Sequence, residues 1–201
     1  MTRVRDIGVG VVGVGLMGRR HAENVTRVGG AKLLAIHDAN ASLAERVARE
    51  LGAKSCASVD ALLSYSGVDA VVIASPAPAH EAHAVAALAA GKDVLLEKPI
   101  ALTLEAADRI LAAAASASAA RLQIGFMRRY DPAYTEAVSV VRSGKVGAVR
   151  FFKGVDRDRD APSARRARSR GPTSSQSPRS TTSMLRAGSR ATRSPACARA
   201  H

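Results

Sequence analysis

The residues best suited to chemistry begin at Gly13-Val14-Gly15-Leu16-Met17-Gly18. Glycines at this spacing let a chain turn sharply out of a strand, bring backbone N–H groups up to a phosphate, and open a helix against the strand just left. Gly13 permits the turn, Gly15 the close approach and Gly18 the packing, while Leu16 and Met17 contribute through their backbone. The positive end of the helix then faces the phosphates. Asp38 follows twenty residues after Gly18, where a carboxylate accepts hydrogen bonds from the adenosine ribose of a dinucleotide. Ala39 and Asn40 supply no cation for a 2′-phosphate, so NAD is favoured over NADP. The competing reading is a glycine turn of purely structural use, which the strand before it and the helix after it argue against.

Two further segments carry polar groups at the ends of apolar runs. Ser75-Pro76-Ala77-Pro78-Ala79-His80 is one, and Gly91-Lys92-Asp93-Val94-Leu95-Leu96-Glu97-Lys98-Pro99 is the other. Both fall at carboxyl ends of expected parallel strands, where ligands bind in open α/β sheets. Taken alone, Glu97 and Lys98 read as a surface ion pair of little consequence. His80 reads either as a contact to the cofactor site or as a helix-start histidine with a local hydrogen bond. His80 and His83 have no third ligand nearby, so no metal site is expected. His21 and His37 read as structural, and Cys56 as a small buried hydrophobe.

The elements that must position these residues follow from hydrophobic pattern and punctuation. Short β-branched runs predict strands at 7–12, 33–37, 70–74, 94–96 and 122–124, with alanine-rich amphipathic helices at 16–28, 43–51, 59–63, 79–90 and 103–117. The strands are apolar throughout, as a parallel sheet covered on both faces requires. The expected fold is therefore a Rossmann-type, doubly wound α/β domain over residues 1–125. Five of the six aromatic residues then fall between Phe126 and Phe152. Residues 126–156 read as a connecting helix, 128–141, and a first strand, 146–155, the start of an incomplete second domain.

Charge divides the chain in the same way. Of the net +13, nine arginines lie between Ala161 and His201 without a lysine or an acidic residue, which leaves +4 for residues 1–160. Residues 157–201, rich in Arg, Ser, Ala, Thr and Pro, read as a disordered tail that cannot bury enough apolar surface to offset the entropy of ordering. Nine cations admit a nucleic-acid reading, against which stand the missing lysines and interleaved aromatics. Apolar runs stop far short of the roughly 20 residues of a membrane span, and the amino terminus lacks the form of a secretory signal. Cys56 and Cys197 have no metal-ligand spacing and make no disulfide framework. A soluble cytoplasmic protein is expected.

With these residues in view, the sequence resembles the glucose-fructose oxidoreductase, inositol dehydrogenase and rhizopine-catabolism family, Gfo/Idh/MocA. The resemblance rests on the glycine turn, Ser75-Pro76 with His80, Gly91-Lys92, Glu97-Lys98-Pro99 and Gly125-Phe126-Met127-Arg128-Arg129-Tyr130-Asp131-Pro132, and covers residues 5–156. It implies an oxidoreductase that passes hydride between a sugar or cyclitol CH–OH and NAD, and a homo-oligomer in intact members. Lys98 is implied to be catalytic, beside the nicotinamide and the substrate hydroxyl, with Ser75, Pro76, His80 and Glu97 facing the cofactor. An ammonium there stabilises a developing alkoxide and assists proton transfer. Family members continue into a substrate domain opening on a segment of the form Gly-Gly-x-x-x-Asp-x-x-x-His-Asp-x-Asp, whose Asp and first His complete the catalytic set with the lysine. No aspartate follows Asp160 here, so the chain is expected to lack turnover. A non-catalytic NAD-binding module is the alternative.

The tail permits such a segment in a shifted reading frame. Read one base out of phase, each new codon takes the third base of one residue and the first two of the next, and Ser180-Thr181-Thr182-Ser183-Met184 then permits His-Asp-Phe-Asp. The expectation is a frameshift between about codons 157 and 171, which also accounts for the tail's composition.

Overall fold

The computed structural model describes residues 5–155 and 184–186. Its residues fall into two units, Met1–Arg128 and Arg129–His201. In the first unit β1 (Ile7–Val12), β2 (Ala31–His37), β3 (Lys54–Ser55), β4 (Ala70–Ile73), β5 (Asp93–Leu96) and β6 (Leu122–Ile124) form one parallel sheet in the order 3-2-1-4-5-6. The expected Rossmann architecture is thus present, with its order reversing between β1 and β4, the point where open α/β sheets bind ligands.

Both faces of the sheet are covered, and the strands show why they carry no polar alternation. Val9, Val11, Leu33, Ile36 and Val72 face one way, against Ala22 of α1 (Leu16–Val25) and Ala44, Val47 and Ala48 of α2 (Ala41–Leu51). Val12, Ala35, Val71, Ile73, Val94 and Leu96 face the other way. There they meet Leu62 and Leu63 of α3 (Val59–Leu63), Ala84, Ala87 and Leu88 of α4 (His80–Ala89), and Ile110 of α5 (Leu104–Ser116). Residues one apart on a strand therefore serve opposite cores.

Helix limits follow local chemistry. Asn40, Ser58 and Thr103 accept hydrogen bonds from the backbone N–H groups of Leu43, Ala61 and Ala106, satisfying donors that a helix start leaves open. Gly52, at φ +71°, closes α2 in the left-handed region. Two sequence expectations are corrected. The first helix ends at Val25 rather than 28, because the Thr26 side chain turns back onto Glu23 O and two glycines follow, Gly30 at φ +82°. The helix expected from 128 begins at Pro132, since Asp131 caps it and Pro132 takes the first-turn position.

The second unit contains α6 (Pro132–Arg142) and β7 (Phe151–Lys153), the latter paired antiparallel with β8 (Met184–Arg186). The strand expected over 146–155 is thus shorter than its apolar run. The tail expected to be disordered lies outside the described residues except at β8, where Met184 and Leu185 are the tail's two large aliphatic residues. Among the described residues no helix is long and apolar enough to cross a membrane.

Candidate cofactor and active site

The glycine turn leaves β1 with Gly13 at φ +85°, a conformation closed to ordinary side chains. Space closes it again, since a Cβ on Gly13 would lie 2.6 Å from Ser75 N, and one on Gly18 would lie 1.7 Å from Gly13 O. The turn is therefore clasped between the β4 turn and its own helix. Gly15 differs, with nothing within 4 Å of its Cβ position. It starts α1, and no side chain caps that helix. Each of α2, α3, α5 and α6 has a side-chain cap. The exposed backbone of Gly15, Leu16 and Met17 therefore offers N–H groups, at the positive end of a helix dipole, to open space. This is a cradle for phosphate oxygens.

Asp38 stands just past β2, where its Oδ2 accepts the Val14 N–H at 2.8 Å and its Oδ1 the Asn40 N–H at 2.8 Å. Each carboxylate oxygen keeps a further lone pair for an outside donor. A groove of about 460 Å³ opens here, lined among others by His37, Asp38, Glu45, Lys54 and Cys56. His37 Nδ1 lies 3.0 Å from Cys56 O, and burial pushes the Cys56 thiol pKa up. Both fit the structural roles read from the sequence.

A second groove, of about 410 Å³, lies on the other side of the turn. Met17, Ser75, His80, Glu97, Lys98 and Pro99 all line it, so residues from three separate strand ends meet in one place. Lys98 is exposed, and no hydrogen bond or ion pair holds its side chain among the described residues. Glu97 makes no surface ion pair with it. The Glu97 carboxylate lies 2.7 Å from His21 Nε2 and accepts the Lys98 backbone N–H at 3.2 Å. Pro76 starts the short 3-10 turn Ala77–Ala79 that leads into α4.

His80 is only 1% exposed, with Nδ1 2.8 Å from Pro99 O and Nε2 2.8 Å from Ser75 O. Both ring nitrogens are taken by main-chain oxygens. Of the two readings of His80, the local hydrogen bonds are present, and the residue also lines the groove. Ser75 Oγ lies 3.0 Å from His83 Nδ1, and burial, then the proximity of His37 and His80, hold the His83 pKa below its ordinary value. Among the described residues no three His, Cys, Asp or Glu side chains gather where they could hold a metal.

Three residues in or beside this groove were given no role there by the sequence reading. Arg20 lines it from α1 with no side-chain partner among the described residues, and Met127 lines it from beyond β6. His21, read as structural, bonds Glu97. The signal for the first and last was the helical period, since Arg20 is three and His21 four residues after Met17, on the same helix face.

Residues 7–126 match the model of the Gfo/Idh/MocA oxidoreductase family, NAD-binding Rossmann fold. The chain belongs to this family. Among family relatives it is similar to inositol 2-dehydrogenase 2 of Saccharopolyspora erythraea, 40% identical over 160 residues, which are 79% of this chain and 47% of the relative. Inositol 2-dehydrogenase of Rubrobacter xylanophilus is 43% identical over 155 residues, 77% of this chain and 45% of that one. Among solved structures, the scyllo-inositol dehydrogenase of Lactobacillus casei with bound NAD(H) and scyllo-inositol superimposes with a TM-score of 0.70 at 33% identity, over 74% of this chain and 45% of that chain. The chain spans less than half the length of these family relatives.

Proposed function

We propose that this chain is the cofactor-binding half of an NAD-dependent dehydrogenase acting on a cyclitol or sugar hydroxyl, and that it does not turn over by itself. One observation carries the reading: the uncapped start of α1 lies between the Asp38 carboxylate on one side and the Lys98 ammonium on the other. That spacing suits a dinucleotide laid across the switch point of the sheet, pyrophosphate at its middle. The inositol dehydrogenases among the relatives support the substrate class, and a cytoplasmic setting goes with it.

In this reading Gly15, Leu16, Met17 and Gly18 hold the pyrophosphate through backbone N–H groups. Arg20 adds a cation from the same helix. Asp38 accepts from the adenosine ribose hydroxyls, using the lone pairs that Val14 and Asn40 leave open. Ser75 and Pro76 form the wall between the glycine turn and the nicotinamide end. Bound NAD supplies the hydride acceptor. Lys98, a cation of the groove with no side-chain partner among the described residues, donates a hydrogen bond to the substrate hydroxyl and stabilises the negative charge that develops as its proton leaves. Its side chain needs an acid–base partner to carry that proton away, and Glu97, closed against His21, is not placed for it.

Calorimetric titration of the 201-residue chain tests this. One saturable site for NAD is expected, with no NADH formed on adding myo-inositol or glucose. A folded chain with no heat of NAD binding defeats the reading, and hydride transfer at ordinary enzyme rates defeats the claim that it is incomplete.

A further inference from the structure

Glu97 and Lys98 are adjacent, yet their side chains live in different surroundings. The Glu97 side chain is 13% exposed and is closed in from three directions. His21 Nε2 lies 2.7 Å from Oε1, the Lys98 N–H reaches Oε2 at 3.2 Å, and Gly125 presses so near that a Cβ there would lie 3.2 Å from Oε1. The next residue but one is also held, since the Pro99 carbonyl meets the ring of His80 at 2.8 Å. Lys98 therefore projects from a backbone secured on both sides of it. The bond from His21 joins α1, whose start faces the phosphate cradle, to Glu97 just past the end of β5, and the next residue is Lys98.

We propose that His21 is a positioning residue, acting through Glu97 to fix Lys98 against the nicotinamide end of the groove. The inference rests on the reading of this groove as an NAD site. A carboxylate beside Lys98 with no such partner is free to swing toward the ammonium and pair with it, drawing the cation away from the groove. His21 and the narrow space at Gly125 prevent this. The role needs a hydrogen-bond donor at residue 21 rather than an imidazole as such, and it concerns only the nicotinamide half of the ligand.

That distinction gives the test. NADH and ADP-ribose share the adenosine and pyrophosphate, and only NADH reaches the Glu97-Lys98 end. Both ligands are titrated into the full chain, unsubstituted and as His21→Ala, His21→Gln and Gly125→Ala. His21→Ala is expected to weaken NADH about tenfold and to leave ADP-ribose within about twofold, with a matching loss of the NADH emission change on binding. Gly125→Ala, which crowds the same carboxylate, is expected to act in the same direction. His21→Gln, whose amide can donate to Glu97, is expected to restore most of the loss. Equal weakening of both ligands shows a merely structural role and overturns the proposal, as does NADH binding indifferent to all three substitutions. An unsubstituted chain that binds NADH no better than ADP-ribose also overturns it. A folded unsubstituted chain that binds neither ligand overturns the NAD reading itself.

Discussion

Replacing Asp38 by alanine separates the folding role of this carboxylate from its binding role. Both oxygens serve the backbone, at 2.8 Å from Val14 N and 2.8 Å from Asn40 N. The site is partly exposed, so water can replace these acceptors, and the loss of stability is expected to be modest, about 1 kcal/mol. The loss of binding is expected to be larger, because in the proposed site the ribose donates to an ionised group. Such bonds contribute about 1.5–3 kcal/mol, and partial exposure favours the lower end of that range, which corresponds to NAD affinity weakened about 10- to 30-fold. Calorimetry with NAD and with ADP-ribose, beside a urea melt of each protein, reads the two effects separately. Both ligands carry the adenosine ribose, so both are expected to weaken by the same factor, unlike the selective loss expected of His21→Ala. Unchanged affinity in a folded Asp38→Ala protein would refute the placement of the ribose at Asp38. Weakening of NAD alone would refute it as well.

Other substitutions test the frame around the site. Gly18→Ala drives a methyl to within 1.7 Å of the Gly13 carbonyl oxygen, an overlap with backbone that is expected to cost about 1–3 kcal/mol or more; an unshifted urea midpoint would contradict the packing. Gly15→Ala, where the Cβ meets open space, is expected to leave the midpoint nearly unchanged and to weaken NAD, so the two glycines should separate stability from binding. The His83 pKa is lowered in the fold from an ordinary 6.5. The unfolded chain therefore takes up this proton first, so the contribution is full above the ordinary 6.5 and is lost progressively as pH falls below it, through the lowered value of the fold. Thermal melts between pH 8 and 5.5 should show a smaller decline for His83→Gln, and parallel declines would count against this account. The frameshift is decided by the gene: third bases C, G, T and G at codons 180–183 restore His-Asp-Phe-Asp, and any other set removes it.

The parts of this molecule legible in the sequence were those whose signal is local. A glycine turn between an apolar run and a helix declares its use, and strands apolar on both faces declare a covered parallel sheet. Asp38 could be placed because the distance from Gly18 to the end of the second strand is set by one helix and one strand. β3 was missed because two residues, Lys54 and Ser55, have no hydrophobic pattern, and only pairing beside β2 makes them a strand. The bond between His21 and Glu97 joins residues 76 apart, and no periodicity carries that. His80 was found at the right place with an open role, since which atoms its two nitrogens meet depends on how the turns after β4 and β5 come together. The early end of the first helix reflects a side chain turning onto the backbone, a competition that apolar spacing does not register.

Binding of NAD at the uncapped start of α1, as proposed, is read by backbone amide NMR of the 15N-labelled chain. Addition of NAD is expected to move the amide signals of Gly15, Leu16, Met17 and Gly18 most, saturably and in step with those of Val14 and Asn40, whose N–H groups bond Asp38. Saturable shifts confined to other parts of the chain, or none at any of these amides in a folded protein, would contradict the account.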